Sequence, residues 1–274
     1  MKKSLLALSL VATLASAFTI EEISGFNHPE SVFVDSKNVY VSNVGKNLAP
    51  LEKDKDGFIS KLDKNGKILD KYFIKNLNAP KGMSEVKDNL YVVDIDTLYG
   101  FNLKNKKEIF KLNIKNSVFL NDIARLDDNT LLVSDTGTGI IYQVDLQNKK
   151  YSEFIKLDMN TYGGPNGLLI DEKNNALLVV GYDKGVVFSI DLATKNINTL
   201  YDKKEAYDGI VSYNDELLVS SWGENFKGNV YSLKNGKAKR LELDYIKGPA
   251  DMFLDKNILW IPKMAEGKIL KIIF

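Results

Sequence analysis

Gly163-Gly164-Pro165-Asn166-Gly167-Leu168-Leu169-Ile170-Asp171 is a turn-forming Gly-Gly-Pro that delivers one polar side chain, Asn166, to the start of an apolar strand. A similar phrase occurs six times. The others are His28-Pro29-Glu30-Ser31-Val32-Phe33-Val34, Ala79-Pro80-Lys81-Gly82-Met83, Phe119-Leu120-Asn121-Asp122-Ile123, Ala206-Tyr207-Asp208-Gly209-Ile210 and Gly248-Pro249-Ala250-Asp251-Met252. Aligned, they put Glu30, Lys81, Asn121, Asn166, Asp208 and Ala250 at one equivalent place, at successive spacings of 51, 40, 45, 42 and 42 residues. A strand-rich period near forty is the mark of a propeller or a repeat array.

Between the phrases lie short apolar runs separated by turn residues. The first unit reads as strands at 31–35, 39–42, 57–62 and 67–74, with a long polar loop at 43–56. Four such strands per unit make an antiparallel meander. The first two strands of each unit are the most apolar, as in Leu131-Leu132-Val133 and Leu177-Leu178-Val179-Val180. Strands covered on both faces favour such runs. Outer strands carry charge, as rim strands do. No segment after residue 17 shows a helical period. The fold expected is therefore all-β: a six-bladed β-propeller of four-stranded antiparallel blades. A sandwich or a pair of barrels would not need so regular a unit. The sixth unit runs out one strand short, and the unassigned stretch 18–23 can supply it. That would close the ring with an N-terminal strand in the last blade and remove two exposed sheet edges.

Composition narrows the functional classes. The 274 residues carry a formal charge of +1, with no basic patch to suggest nucleic acid. There is no cysteine, hence no disulfide, thiolate metal site or cysteine nucleophile. Lys2 and Lys3, the apolar run 5–14 and Ala15-Ser16-Ala17 form the n-region, h-region and cleavage site of a secretory signal peptide over residues 1–17. The apolar run is shorter than the about 20 residues a membrane span needs. The expected mature chain is a single domain over 18–274, secreted to the periplasm, without a membrane span and monomeric.

In a propeller the first strand of each blade lines the central channel, so the six equivalent residues converge at one mouth. Glu30, Asn121, Asn166 and Asp208 offer four oxygen ligands there, two of them anionic. Hard divalent cations such as Ca2+ take oxygen ligands of this kind. Each residue taken alone is better read as a turn residue than as a ligand; it is the shared repeat position that points to a metal. The loops at 43–56 and 222–227 join second to third strands, overhang the same mouth, and are candidate lids. Trp222 and Phe226 either line the pocket or pack their loop, with packing preferred.

Pro29-Glu30-Ser31, Asn121-Asp122, Pro165-Asn166-Gly167-Leu168 and Tyr207-Asp208-Gly209 resemble the ligand phrases of the six-bladed calcium-propeller superfamily of senescence marker protein (regucalcin), gluconolactonase and diisopropylfluorophosphatase, which includes the paraoxonases. The resemblance covers essentially the whole of 18–274. It implies Glu30, Asn121, Asn166 and Asp208 as metal ligands and hydrolysis of a small-molecule lactone or ester. It also implies a cation acting as Lewis acid and Asp208 doubling as general base. Lys81 departs from that ring. It would stabilise a developing oxyanion, as a catalytic residue, bind a carboxylate or phosphate on the substrate, or balance the charge of Glu30 and Asp208. The alternative function is a non-catalytic propeller scaffold that binds a ligand or protein partner across the mouth.

Other chemistry is weakly supported. His28 is the only histidine, which argues against zinc and against a serine–histidine–acid triad, and no Gly-x-Ser-x-Gly elbow is present. Asp54-Lys55-Asp56-Gly57 lacks the rest of a calcium-binding EF-hand loop, and Thr136-Gly137-Thr138-Gly139 lies between strands instead of before a helix.

Overall fold

The computed structural model describes residues 18–274; the signal peptide expected over residues 1–17 lies outside them. Six four-stranded antiparallel sheets follow one another along the chain. Blade one is Pro29–Val34, Asn38–Asn43, Gly57–Asp63 and Ile68–Leu77, and blade two is Pro80–Val86, Asn89–Asp94, Thr97–Asn102 and Glu108–Asn113. Blade three is Leu120–Arg125, Thr130–Asp135, Ile140–Asp145 and Lys150–Lys156, and blade four is Pro165–Asp171, Ala176–Gly181, Val186–Asp191 and Ile197–Asp202. Blade five is Tyr207–Tyr213, Glu216–Ser221, Asn229–Lys234 and Lys237–Arg240. Blade six takes Phe253–Asp255, Ile258–Lys263 and Lys268–Ile273 from the C-terminal end, and Thr19–Ser24 as its outer strand. The six innermost strands touch their neighbours in a closed cycle, the last against the first. The all-β, six-bladed propeller expected from the repeat is the observed fold.

The blades are glued by apolar layers between them. Leu131, Val133 and Leu98 are fully buried between blades two and three, and Trp260 is fully buried with Val39 and Ile269 between blades six and one. Burying each such side chain contributes about 1.5–3 kcal/mol, which is why the inner strands are so uniformly apolar. Helix is confined to short turns. Met159–Tyr162 forms a single α-turn because Asp158 accepts a hydrogen bond from the backbone N–H of Asn160 at 3.0 Å and so caps its start.

Closure matches the expectation from strand counting. Thr19–Ser24 pairs antiparallel with Lys268–Ile273, Thr19 opposite Ile273 and Ser24 opposite Lys268. Phe18 meets Phe274 edge to face at 5.3 Å. The Glu22 carboxylate accepts from Lys263 Nζ at 2.6 Å and Lys268 Nζ at 2.5 Å, and Glu21 accepts from Lys271 Nζ at 2.9 Å. The hydrogen bond from Lys263, then that from Lys268, holds the Glu22 carboxyl below its ordinary 4.5. A depressed carboxyl stabilises the fold above its unfolded-state pKa, and that contribution is lost as pH falls through the folded value. Glu22→Gln should therefore lower Tm at pH 7 and lose its effect at pH 3. For a half-exposed pair worth about 0.5 kcal/mol, the shift at pH 7 is about 1–2 °C, measurable by calorimetry of both proteins at each pH.

Candidate functional site

Each innermost strand carries one residue too many. In blade one Pro29 pairs with Asn43 but Ser31 pairs with Ser42; in blade three Leu120 pairs with Asp135 but Ile123 with Val133. The same one-residue bulge occurs in blades two, four and five. Blade six shows it between the Pro249–Lys263 bridge and the Phe253–Trp260 pair. The bulge contains Glu30, Lys81, Asn121, Asn166, Asp208 or Ala250. A β-bulge re-aims a side chain that the pleat would otherwise send to a sheet face. Here it turns one residue per blade toward the hub, and all six are buried.

The bulges are braced. Ser42 Oγ accepts from the backbone N–H of Ser31, Ser134 Oγ from that of Asp122, and Ser220 Oγ from that of Gly209, at 2.8–2.9 Å. Ser134 Oγ and Ser220 Oγ in turn donate hydrogen bonds to Asn166 O and Ala250 O in the next blade. After each ring residue comes a second, tighter ring. A Cβ added at Gly167 would sit 2.4 Å from Asp208 O, and one at Gly82 2.5 Å from Asp122 Cα. Only glycine lets neighbouring blades approach so closely there. Asp122 fills its place by accepting from Leu168 N at 2.7 Å, and Asp251 by accepting from Ser31 Oγ at 2.5 Å.

The ring residues of blades one to five share one cavity of about 190 Å³, which also exposes Phe119, Tyr182 and Trp222. Among the described residues, six buried side-chain oxygens or nitrogens have no hydrogen-bond partner. Four of them are Glu30 Oε2, Asn121 Oδ1, Asn166 Oδ1 and Asp208 Oδ1. The other two, Thr138 Oγ1 and Trp260 Nε1, do not line this cavity. Buried polar atoms are almost always paired, so four orphans on one small cavity call for a partner the chain does not supply.

The electrostatics agree. Burial pushes the Glu30 carboxyl well above its usual range; the charge of Asp208 adds to this and that of Lys81 opposes it. Burial raises Asp208 to about 7, against the pull of its hydrogen bond from Trp222. Two carboxyls that resist ionisation without a counter-charge, beside two carboxamide oxygens, fit a hard divalent cation. Among the described residues no group of three or more histidine, cysteine, aspartate or glutamate side chains is placed to hold a metal. Any ion at this hub therefore depends on the two asparagines.

Lys81 is the residue whose surroundings were least expected. It is fully buried, and its Nζ donates to Pro50 O at 2.8 Å and Ala79 O at 2.9 Å, 4.8 Å from the Phe119 ring centre. Burial lowers it to about 8, against the pull of Glu30 and Asp94. Two of its three N–H groups are thus committed to backbone, one of them to the overhanging loop 44–56. Trp222 belongs to the site as well as to its loop: Nε1 donates to Asp208 Oδ2 at 2.7 Å while the ring packs on Phe226. That bond corrects the preference for packing alone. His28 does not line the cavity and bonds Gly45 O through Nδ1. Asp56 accepts from Lys46 N within its loop, and Asp135 accepts from Gly137 N, so both glycine-containing segments are ordinary turns.

No family model and no curated protein matches the chain. Solved structures do. A streptogramin B lyase superposes with a TM-score of 0.66 at 16% identity, over 93% of this chain and 97% of that one. Virginiamycin B lyase from Staphylococcus aureus gives 0.63 at 15% identity, over 94% and 100%. A chain of a nidogen/laminin complex gives 0.61 at 16% identity, over 77% and 82%. The chain is thus a six-bladed propeller whose fold is similar to that of an enzyme and of a protein seen in a protein–protein complex. No described helix is long and apolar enough to cross a membrane.

Proposed function

We propose that the hub holds one divalent cation, calcium in the first instance, and that the protein hydrolyses a small lactone or ester there. What supports the reading is the set of four unpartnered oxygens, Glu30 Oε2, Asn121 Oδ1, Asn166 Oδ1 and Asp208 Oδ1, on one buried cavity. Those side chains are the ones assigned to the cation, which when bound supplies Lewis-acid polarisation of a carbonyl.

The chain's own groups do the rest. Trp222 fixes the Asp208 carboxylate through Oδ2. Asp208 is assigned as general base: it takes a proton from water as the water oxygen bonds to the carbonyl carbon, and returns it to the alkoxide when the ester C–O bond breaks. Tyr182, kept neutral by burial and by the nearby charges of Asp208 and Asp183, is a donor facing the same cavity. Lys81 holds the loop over the mouth through Pro50 O, and its third N–H is assigned to the developing oxyanion. Lys81→Met should lower kcat/KM about a hundredfold, mostly through kcat, and speed protease cleavage within 44–56. Steady-state kinetics and timed proteolysis check both. The signal sequence supports export to the periplasm.

A lyase reading has less to support it. A catalytically inactive histidine-to-alanine variant of the staphylococcal lyase has been solved with quinupristin, whereas the single histidine here lies outside the cavity. The scaffold reading draws on Ala250, which leaves blade six without a polar group in the ring. A calcium-loaded protein that hydrolyses no member of a broad lactone and ester panel would favour it.

A further inference from the structure

We infer that the hub cavity takes a neutral ligand with an apolar body, aromatic or branched alkyl, and is not built for a polyhydroxylated or phosphorylated one. The inference rests on the reading above only in placing the ligand at the hub.

The first observation is the wall. Beyond the ring residues the cavity is lined chiefly by Leu48, Pro50, Phe119, Trp222 and Met264. At about 190 Å³ it is smaller than the roughly 300–1,000 Å³ of sites for drug-sized ligands. The second is that, besides the four ring oxygens, the wall leaves few polar groups open, namely the Tyr182 hydroxyl and one Lys81 N–H. Thr136 Oγ1 donates to Pro165 O at 2.8 Å, Trp222 Nε1 to Asp208, and Lys81 Nζ to Pro50 O and Ala79 O. A sugar-like ring would turn several hydroxyls against this surface without partners, and a buried unpartnered hydroxyl is costly. Apart from the cation assigned to the ring, the wall offers a phosphate only one Lys81 N–H and the Tyr182 hydroxyl, and no arginine.

The third observation lies at the mouth. Leu48 is 40% exposed, Leu51 47%, Val118 50% and Phe226 47%. Leu51 shares the overhanging loop with Leu48, Val118 precedes Phe119, and Phe226 packs on Trp222 at 5.9 Å between ring centres. The apolar wall therefore continues outward as exposed apolar side chains. Large exposed apolar groups gathered beside a cavity mark a binding surface.

Tryptophan emission reads the test. Of the two tryptophans, Trp260 is fully buried in the core and Trp222 lines the cavity. Calcium-loaded protein is titrated with two lactams, which resist hydrolysis: 4-phenyl-2-pyrrolidinone and gluconolactam. The phenyl lactam should bind at least tenfold more tightly, and Leu48→Gln should remove most of that preference. Equal affinities, tighter binding of gluconolactam, or binding of neither would overturn the proposal. Calcium-induced change in Tm, followed in parallel, separates this from the metal reading: a Tm rise without lactam preference sinks only the ligand class, and lactam preference without a Tm rise sinks only the metal.

Discussion

Asp208→Ala should abolish lactone hydrolysis and calcium stabilisation together. Asp208 contributes an anionic oxygen to the hub, is tied by Trp222, and is assigned the proton of the attacking water, so its loss removes more than one interaction of the transition state. A fall in kcat/KM of about a thousandfold corresponds to about 4 kcal/mol. The stability readout does not depend on finding the substrate. A ligand at a hundred times its Kd stabilises the native state by about 2.7 kcal/mol, about 5–10 °C in Tm for a domain of this size. The parent protein should show that rise on adding calcium and lose it to chelator. Asp208→Asn keeps an acceptor for the Trp222 indole N–H but removes the charge. It should melt no lower than the parent in chelator, because an unpaired buried acid is itself costly, and should gain little from calcium. A variant that simply unfolds would show neither behaviour.

Deleting residues 18–24 from the mature chain should lower Tm by about 10 °C and make the protein prone to associate. The deletion removes six paired positions along Lys268–Ile273, the Phe18–Phe274 contact and the partners of Lys263, Lys268 and Lys271. Cross-strand pairs contribute roughly 0.2–1 kcal/mol each, so about 3 kcal/mol is at stake, and 2–4 °C accompanies each kcal/mol. Lys263 and Lys271 are nearly buried; without Glu21 and Glu22 their charges are less well compensated. The exposed strand would then present an unpaired edge, the usual template for association. Calorimetry and light scattering on the truncated protein check the two effects, and an unchanged Tm would mean that the seam does not hold the ring.

The fold was legible because the repeat writes itself into one phrase: a turn, one ring residue, an apolar strand. Counting strands was enough to find that the last blade lacked one and that residues near 18–23 were free to fill it. The ring was legible for the same reason, since Glu30, Asn121, Asn166 and Asp208 occupy one repeat position. The bulge that aims them was not, because an extra residue in a register shows only against its partner strand. Nor was the bracing by Ser42, Ser134 and Ser220, which alternate with Val93, Val180 and Pro262 at the equivalent place and so look like ordinary strand residues. Trp222 and Pro50 lie on loops without periodicity, and their bonds to Asp208 and Lys81 join residues 14 and 31 positions apart. Lys81 illustrates the limit most clearly. Its ring position was readable, but the backbone carbonyls that hold its ammonium carry no side-chain signature at all.

Calcium titration of the purified chain by isothermal calorimetry, repeated with Glu30→Ala, Asn121→Ala, Asn166→Ala and Asp208→Ala, tests the hub most directly. One ion per chain, with binding weakened or lost in each of the four variants while Thr138→Ala binds as the parent does, is the expected result. No binding by the parent, or binding that survives all four substitutions, would contradict a metal centre built from these oxygens.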